Sequence, residues 1–177
     1  DPIDGTLNYS HGIPVSCGSI GFQIDGVSQV GVIYDPNQDE MFSARRDGGA
    51  TLNGRPMGVS SESEIAGSLL VTGFPPSASE ELEANLLNCA ELTRRSRGIR
   101  RLGSAALDLA YVAAGRLDGF WEYGLNPWDT AAGYLLVEEA GGCVSQIDAT
   151  AFDIHASSIL ATNGRIHDEI VDILERL

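Results

Sequence analysis

Positive charge is scarce in this chain: 11 Lys and Arg stand against 25 Asp and Glu over 177 residues, a formal net charge of -14. Nucleic acid and anionic membrane are disfavoured as general partners, because phosphate-rich surfaces need a basic face. Cysteine is also sparse. Cys17, Cys89 and Cys143 are odd in number and lack metal-ligand spacing, as expected of reduced thiols in a cytoplasmic protein. No apolar run is long enough to cross a membrane, nothing looks like a signal peptide, and there is no internal repeat or low-complexity segment. What is present is ordinary for a globular chain: 43% hydrophobic and 20% charged residues, enough for one domain with a sizeable core.

Against that background the first six residues stand out: Asp1-Pro2-Ile3-Asp4-Gly5-Thr6. Two carboxylates three residues apart flank a proline-stiffened turn, and a glycine and a threonine follow. Carboxylates with a carbonyl suit a hard cation such as Mg²⁺, and a Gly-Thr turn suits a phosphate oxygen. The same residue types also build plain Asx turns. An acidic chain that handles phosphate needs metal cations as intermediaries, which fits this motif. A second segment, Trp128-Asp129-Thr130-Ala131-Ala132-Gly133, sets Asp129 at the start of a helix, where the helix N-terminus favours a carboxylate. By itself that position is also an ordinary helix cap. The small residues after it predict close packing of the first turn.

Strands are expected over residues 16–24, 29–35, 41–45 and 50–52, an antiparallel meander with Asp25-Gly26 as its first hairpin turn. A polar bridge over 60–64 divides the halves. The second half alternates strands at 68–72, 119–122 and 158–162 with helices at 79–95, 105–114, 128–140 and 166–177. Ser79 is placed to cap the first of these helices, with Glu80 and Glu81 at its positive end and Arg94 and Arg95 at its negative end. Arg94, Arg95, Arg97, Arg100 and Arg101 read as a helix terminus with surface pairs, Trp121 and Trp128 as core, Cys17 as a buried small hydrophobe, and His11, His155 and His167 as structural or surface residues. Asp108 and Asp118 have no evident partner in a site.

Asp1-Pro2-Ile3-Asp4-Gly5-Thr6-Leu7-Asn8-Tyr9 and Trp128-Asp129-Thr130-Ala131-Ala132-Gly133 together resemble the two signatures of the inositol monophosphatase family, in that family's order and at about its spacing. The stretches 18–35, 52–56 and 100–106 extend the similarity over essentially the whole chain. The resemblance implies a sugar phosphatase-type αβαβα sandwich lacking its N-terminal helical layer, Mg²⁺ as cofactor, lithium sensitivity, a homodimer, and a small phosphomonoester as substrate. It implies that Asp1, Asp4 and Asp129 are carboxylate metal ligands and that Ile3 gives its backbone carbonyl. It makes Thr6 the residue that orients the attacking water, and the Gly5 and Thr6 N–H groups a phosphate cradle. Gly103, Ser104 and Ala105 would wall the alcohol portion, and Glu122 would accept from a substrate hydroxyl.

Inositol 1-phosphate or a similar ester is the expected substrate. Fructose 1,6-bisphosphate and histidinol phosphate are alternatives within the class. Leu7-Asn8 stands where relatives acting on phosphoadenosine phosphate usually show Lys-Glu, which counts against that substrate. A non-catalytic interaction protein on the same fold is the alternative from another class. The chain starts with Asp1 rather than Met, inside the first signature, so residues 1–177 are expected to form a domain whose N-terminal portion is missing. The family's upstream metal-binding Glu would lie there. Taken alone, the chain is expected to be weakly active or inactive and to expose apolar surface.

Overall fold

In the computed structural model, which describes residues 1–75 and 80–175, Asp25 and Gly26 take positive φ (50° and 80°) and close a hairpin. That is the geometry a two-residue turn between twisted strands requires, and Asp-Gly supplies it at low cost. The hairpin joins β1 (Gly18–Ile24) to β2 (Val27–Asp35). β3 (Glu40–Arg45), β4 (Gly49–Leu52) and β5 (Arg55–Pro56) follow in chain order, so the first sheet is the expected antiparallel meander.

The second sheet is mixed. It contains β6 (Leu69–Thr72), β7 (Gly98–Arg100), β8 (Gly119–Tyr123), β9 (Cys143–Ser145) and β10 (Ser158–Thr162), in the order β7-β6-β8-β10-β9. Its strands are apolar on both faces, and successive residues point to opposite sides. Val71, Phe120 and Ile159 enter one core; Leu70, Trp121 and Leu160 enter another.

The helices account for the two cores. α1 (Thr6–Ser10) is short and follows the first motif. α3 (Ala105–Ala113) and α5 (Gly133–Glu139) lie between the sheets, with Leu107, Leu109, Leu135 and Leu136 meeting Ile33 and Phe42 of the meander. α2 (Glu80–Arg95) and α6 (His167–Leu174) cover the far face of the second sheet through Leu92, Ile166 and Ile170. Full burial of each such side chain contributes about 1.5–3 kcal/mol. The layers therefore run sheet, helix, sheet, helix, a mixed αβ sandwich. On the meander face turned away from α5, Ile20, Phe22, Val30, Tyr34 and Met41 share one side by register and are exposed, Ile20 by 69%.

Several expectations from the sequence need correction. The helix expected over 128–140 is two helices, α4 (Pro127–Thr130) and α5, broken at Ala131 and Ala132. The break has a tertiary cause. The Ala131 carbonyl accepts from Ser28 Oγ at 3.0 Å, and the meander presses on this junction through glycines. A Cβ on Gly31 would stand 2.6 Å from the Ala132 carbonyl oxygen, and one on Gly21 2.7 Å from Ala131 Cβ. Trp128 is 55% exposed rather than core, because α4 is a single turn whose outer side faces an open groove. α1, β5, β7 and β9 were not foreseen: each is too short to show a period. The Ser79 cap and the last two residues of the helix expected over 166–177 lie outside the described residues. Among the described residues, no helix is long and apolar enough to cross a membrane.

Candidate active site

Residues 1–4 run beside the start of β1 as a short antiparallel strip. Asp4 exchanges backbone hydrogen bonds with Cys17 (2.8 and 3.0 Å), and Ser19 N–H donates to the Asp1 carbonyl at 2.8 Å. The strip turns sharply at Gly5, whose φ of 82° would strain any side chain and whose Cβ would meet the Val15 carbonyl. Asp1 Oδ1 accepts from Ile3 N–H at 2.8 Å, the Asx turn that the residue types allowed. Thr6 Oγ1 donates to the Ile3 carbonyl at 3.0 Å.

Asp4 is buried beneath this turn. Its Oδ2 accepts from Ser104 Oγ (2.5 Å) and from Ala106 N–H (2.9 Å) in the first turn of α3. The helix N-terminus and these donors favour the charged form. Burial outweighs them and holds the Asp4 carboxyl above its usual range, with Asp129 adding like-charge repulsion. Asp129 arrives from the opposite side on α4. Its Oδ2 accepts from Asn126 N–H at 2.8 Å and from Asn126 Nδ2 at 3.3 Å, so the Asn126-Pro127 start of α4 fixes its direction.

The result is a convergence of carboxylates. Asp1, Asp4 and Asp129 each offer an oxygen, all within 4.8 Å of one another. Hard oxygen donors of this charge and spacing fit a hard divalent cation such as Mg²⁺. The three line a cleft of about 290 Å³ together with Gly5, Thr6, Gly103, Ser104, Ala105 and Glu122. Nine of the ten residues singled out in the sequence therefore meet at one place. Ile3 does not line the cleft; its carbonyl is engaged by Thr6.

The sequence did not single out Asp108 or Gly73, and it read Arg101 as a surface cation. All three line the same cleft. Asp108 stands one turn after Ser104 on α3, so i, i+4 spacing from the predicted wall was the available signal. Burial lifts the Glu122 carboxyl to about 8; Arg101 opposes the rise, and Asp4 and Asp129 add to it. Burial also pushes the Asp108 carboxyl well up, with Glu122 and Asp4 adding to the rise and Arg101 opposing it. Cys17 is buried beside Asp4 and Ser104; burial first, then the Asp4 charge, pushes its thiol to about 12, which suits packing and not nucleophilic attack. His11 is exposed and outside the cleft lining, whereas His167 is buried and bonded through both ring nitrogens to the Ser145 and Thr162 hydroxyls. Arg94 and Arg95 pair with Glu91 on α2, as expected of a helix terminus.

Comparison with known proteins gives a consistent result. The chain matches the inositol monophosphatase family over residues 1–177. An inositol-1-monophosphatase of Synechocystis sp. is 51% identical over 174 residues, which cover 98% of this chain and 61% of that protein. The Nus factor SuhB of Escherichia coli is 44% identical over 184 residues, covering 99% of this chain and 69% of that one. The solved inositol monophosphatase of Anabaena (Nostoc) sp. superposes with a TM-score of 0.94 at 52% identity, covering all of this chain and 70% of the other. The chain thus spans about three-fifths of the length of the Synechocystis relative.

Proposed function

Because the chain belongs to the inositol monophosphatase family, we propose that the complete protein is a Mg²⁺-dependent phosphomonoesterase acting on inositol 1-phosphate or a similar small phosphate ester. The observation that carries this reading is the convergence of Asp1, Asp4 and Asp129 beside the Gly5-Thr6 turn in one cleft. Carboxylates packed this closely repel one another, and a bound cation relieves that repulsion.

In this reading Asp1, Asp4 and Asp129 would hold the metal; the Ile3 carbonyl, which already accepts from Thr6 Oγ1, would have only its second lone pair to give. When bound, a divalent ion supplies charge neutralisation for the phosphate and acidifies the attacking water. Asp4 and Asp129 are each oriented by hydrogen bonds to Oδ2, which would hold their carboxylates ready for a cation. The Thr6 hydroxyl, held near the Ile3 carbonyl, orients the water. The Gly5 and Thr6 N–H groups receive the phosphate oxygens; the water would attack phosphorus in line as the ester P–O bond breaks and the alcohol leaves, with no covalent enzyme intermediate. Gly103, Ser104 and Ala105 wall the leaving alcohol, and Glu122 accepts from one of its hydroxyls.

Residues 1–177 form in this account one domain, to which a preceding segment adds a further acidic metal ligand and a helical layer over the exposed meander face. Fructose 1,6-bisphosphate and histidinol phosphate are the alternative substrates. The complete protein is proposed to work as a cytoplasmic homodimer. A non-catalytic interaction protein on the same fold is the alternative from another class, and the 44% identity to a protein named Nus factor SuhB is the observation that favours it.

The test is phosphate release from inositol 1-phosphate by the complete protein, with and without Mg²⁺ and then with Li⁺. Mg²⁺-dependent release blocked by Li⁺ is the expected result. No release from this ester or the two alternatives, despite bound metal, would leave the interaction role as the better account.

A further inference from the structure

We propose that Asp108 is a specificity-determining residue: beside Glu122 it forms the floor of the cleft and accepts a hydrogen bond from a second hydroxyl of a polyol phosphate. This rests on the phosphatase reading of the cleft and extends it to the chemistry of the leaving alcohol.

Asp108 is only 1% exposed, yet it lines the cleft. Its Oδ1 is closed off from solvent and has no hydrogen-bond partner among the described residues. A buried carboxylate oxygen in that condition is costly, and a side chain kept only for structure is normally satisfied. Asp118 of the same chain shows the satisfied case: its two oxygens accept from Ser60 Oγ at 2.5 Å and Leu69 N–H at 2.6 Å. Asp35 also leaves one oxygen unpaired, but its other accepts from Asn37 N–H at 2.8 Å, and it lies outside the cleft lining.

Nor does Asp108 belong to the metal set, which consists of Asp1, Asp4 and Asp129. Its charged neighbours are Glu122, Asp4 and Arg101. Glu122 is the other carboxyl group on this side of the cleft, and its oxygens lie where a side chain on Gly73 would have to stand. Gly73 thus leaves room for the Glu122 carboxyl itself. The Gly73 carbonyl is pinned by Asn85 Nδ2, and Asn85 in turn receives the Trp121 indole N–H at 2.5 Å. The wall of this subsite is therefore rigidly tied to α2 and β8.

Two neighbouring carboxyl groups with one guanidinium are complemented by adjacent O–H groups on a ring or chain. An alcohol with no further hydroxyl leaves both acceptors unpaired. Sites built to hydrogen-bond a hydroxyl discriminate strongly for that reason.

The experiment compares kcat/KM for inositol 1-phosphate with that for p-nitrophenyl phosphate, whose leaving group has no further hydroxyl, using the complete Mg²⁺-loaded protein. In Asp108→Ala the ratio of the two values should fall about tenfold, the size expected when a buried polar group is left without its partner. Asp108→Asn keeps an acceptor oxygen and nearly the same volume, so its ratio should lie between wild type and Asp108→Ala. That variant also keeps the test open if the alanine protein does not fold, since the proposal then requires its ratio to lie below that of wild type. A ratio equal to the wild-type value in the folded variants, or an equal loss on both esters, would overturn the assignment of Asp108. No turnover of either ester by the wild type would instead overturn the phosphatase reading, and this assignment with it.

Discussion

The two ends of the cleft are both lined by carboxylates, but they are held in different ways. At one end Asp4 and Asp129 are gripped from behind: Asp4 by Ser104 Oγ and the Ala106 N–H, Asp129 by the Asn126 N–H. At the other, Asp108 is buried with an unpaired oxygen, and Glu122 is pushed up to about 8, chiefly by burial. Identical functional groups thus acquire different tasks from their surroundings. Carboxylates oriented by fixed donors and crowded within 4.8 Å suit a cation, whereas desolvated acceptors with spare capacity suit hydroxyl donors.

The largest expected effect breaks the first end. Asp129→Asn in the complete protein should weaken Mg²⁺ binding and turnover by more than about 100-fold, since loss of a ligand exceeds the 10–100-fold typical of the residues behind ligands. Calorimetric metal titration and phosphate release check both. Ser104→Ala removes only the hydroxyl that orients Asp4, so a loss of about 10–100-fold in metal affinity is predicted. An unchanged affinity would show that the α3 backbone suffices to hold Asp4.

A third prediction concerns the scaffold that brings Asp129 to the cleft. Gly31→Ala drives a Cβ into the Ala132 carbonyl between α4 and α5. It should destabilise the protein by about 1–3 kcal/mol in urea unfolding, as overpacking typically does. Metal affinity should fall with it if the α4–α5 junction sets the Asp129 position.

The fourth prediction sharpens the second end. Glu122 holds its proton up to about 8 in the folded state, against an ordinary value of 4.5. The folded metal-free protein therefore binds more protons than the unfolded chain between these values, and stability declines as pH rises through that window. The raised Asp4 and Asp108 carboxyls act in the same direction. Glu122→Gln should flatten the fall of Tm between pH 5 and 8 in the presence of a chelator, a range set by those two values. A slope equal to that of the wild type would contradict the placement of Glu122 as a buried acid.

Much of this was legible in the sequence because the strongest patterns are local. The Asp25-Gly26 turn set the first hairpin, and the apolar run Ser158–Thr162 is β10 residue for residue. Helix α3 ends before Gly115 as the pattern required. The two long motifs pointed to residues that the chain brings together from positions over a hundred apart. What could not be read locally depended on packing across the fold. The helix break at Ala131 is caused by Ser28 and Gly31 of another element. Trp128 looks like core by residue type, yet its helix is one turn long. Asp108 sits in an apolar helix, where a single carboxylate gives no clue to whether it is capped, paired or aimed at a ligand; only the convergence of α3 and β8 sets it beside Glu122.

The most direct test of the division within the cleft is Mg²⁺ titration of the complete protein in three forms: wild type, Asp129→Asn and Asp108→Asn. The account predicts a loss of more than about 100-fold for Asp129→Asn and a change within about threefold for Asp108→Asn, a bound set by the 10–100-fold cost of disturbing a metal site. Equal losses in the two variants would mean that the cleft is a single metal-binding acidic patch and that the two ends have no separate roles.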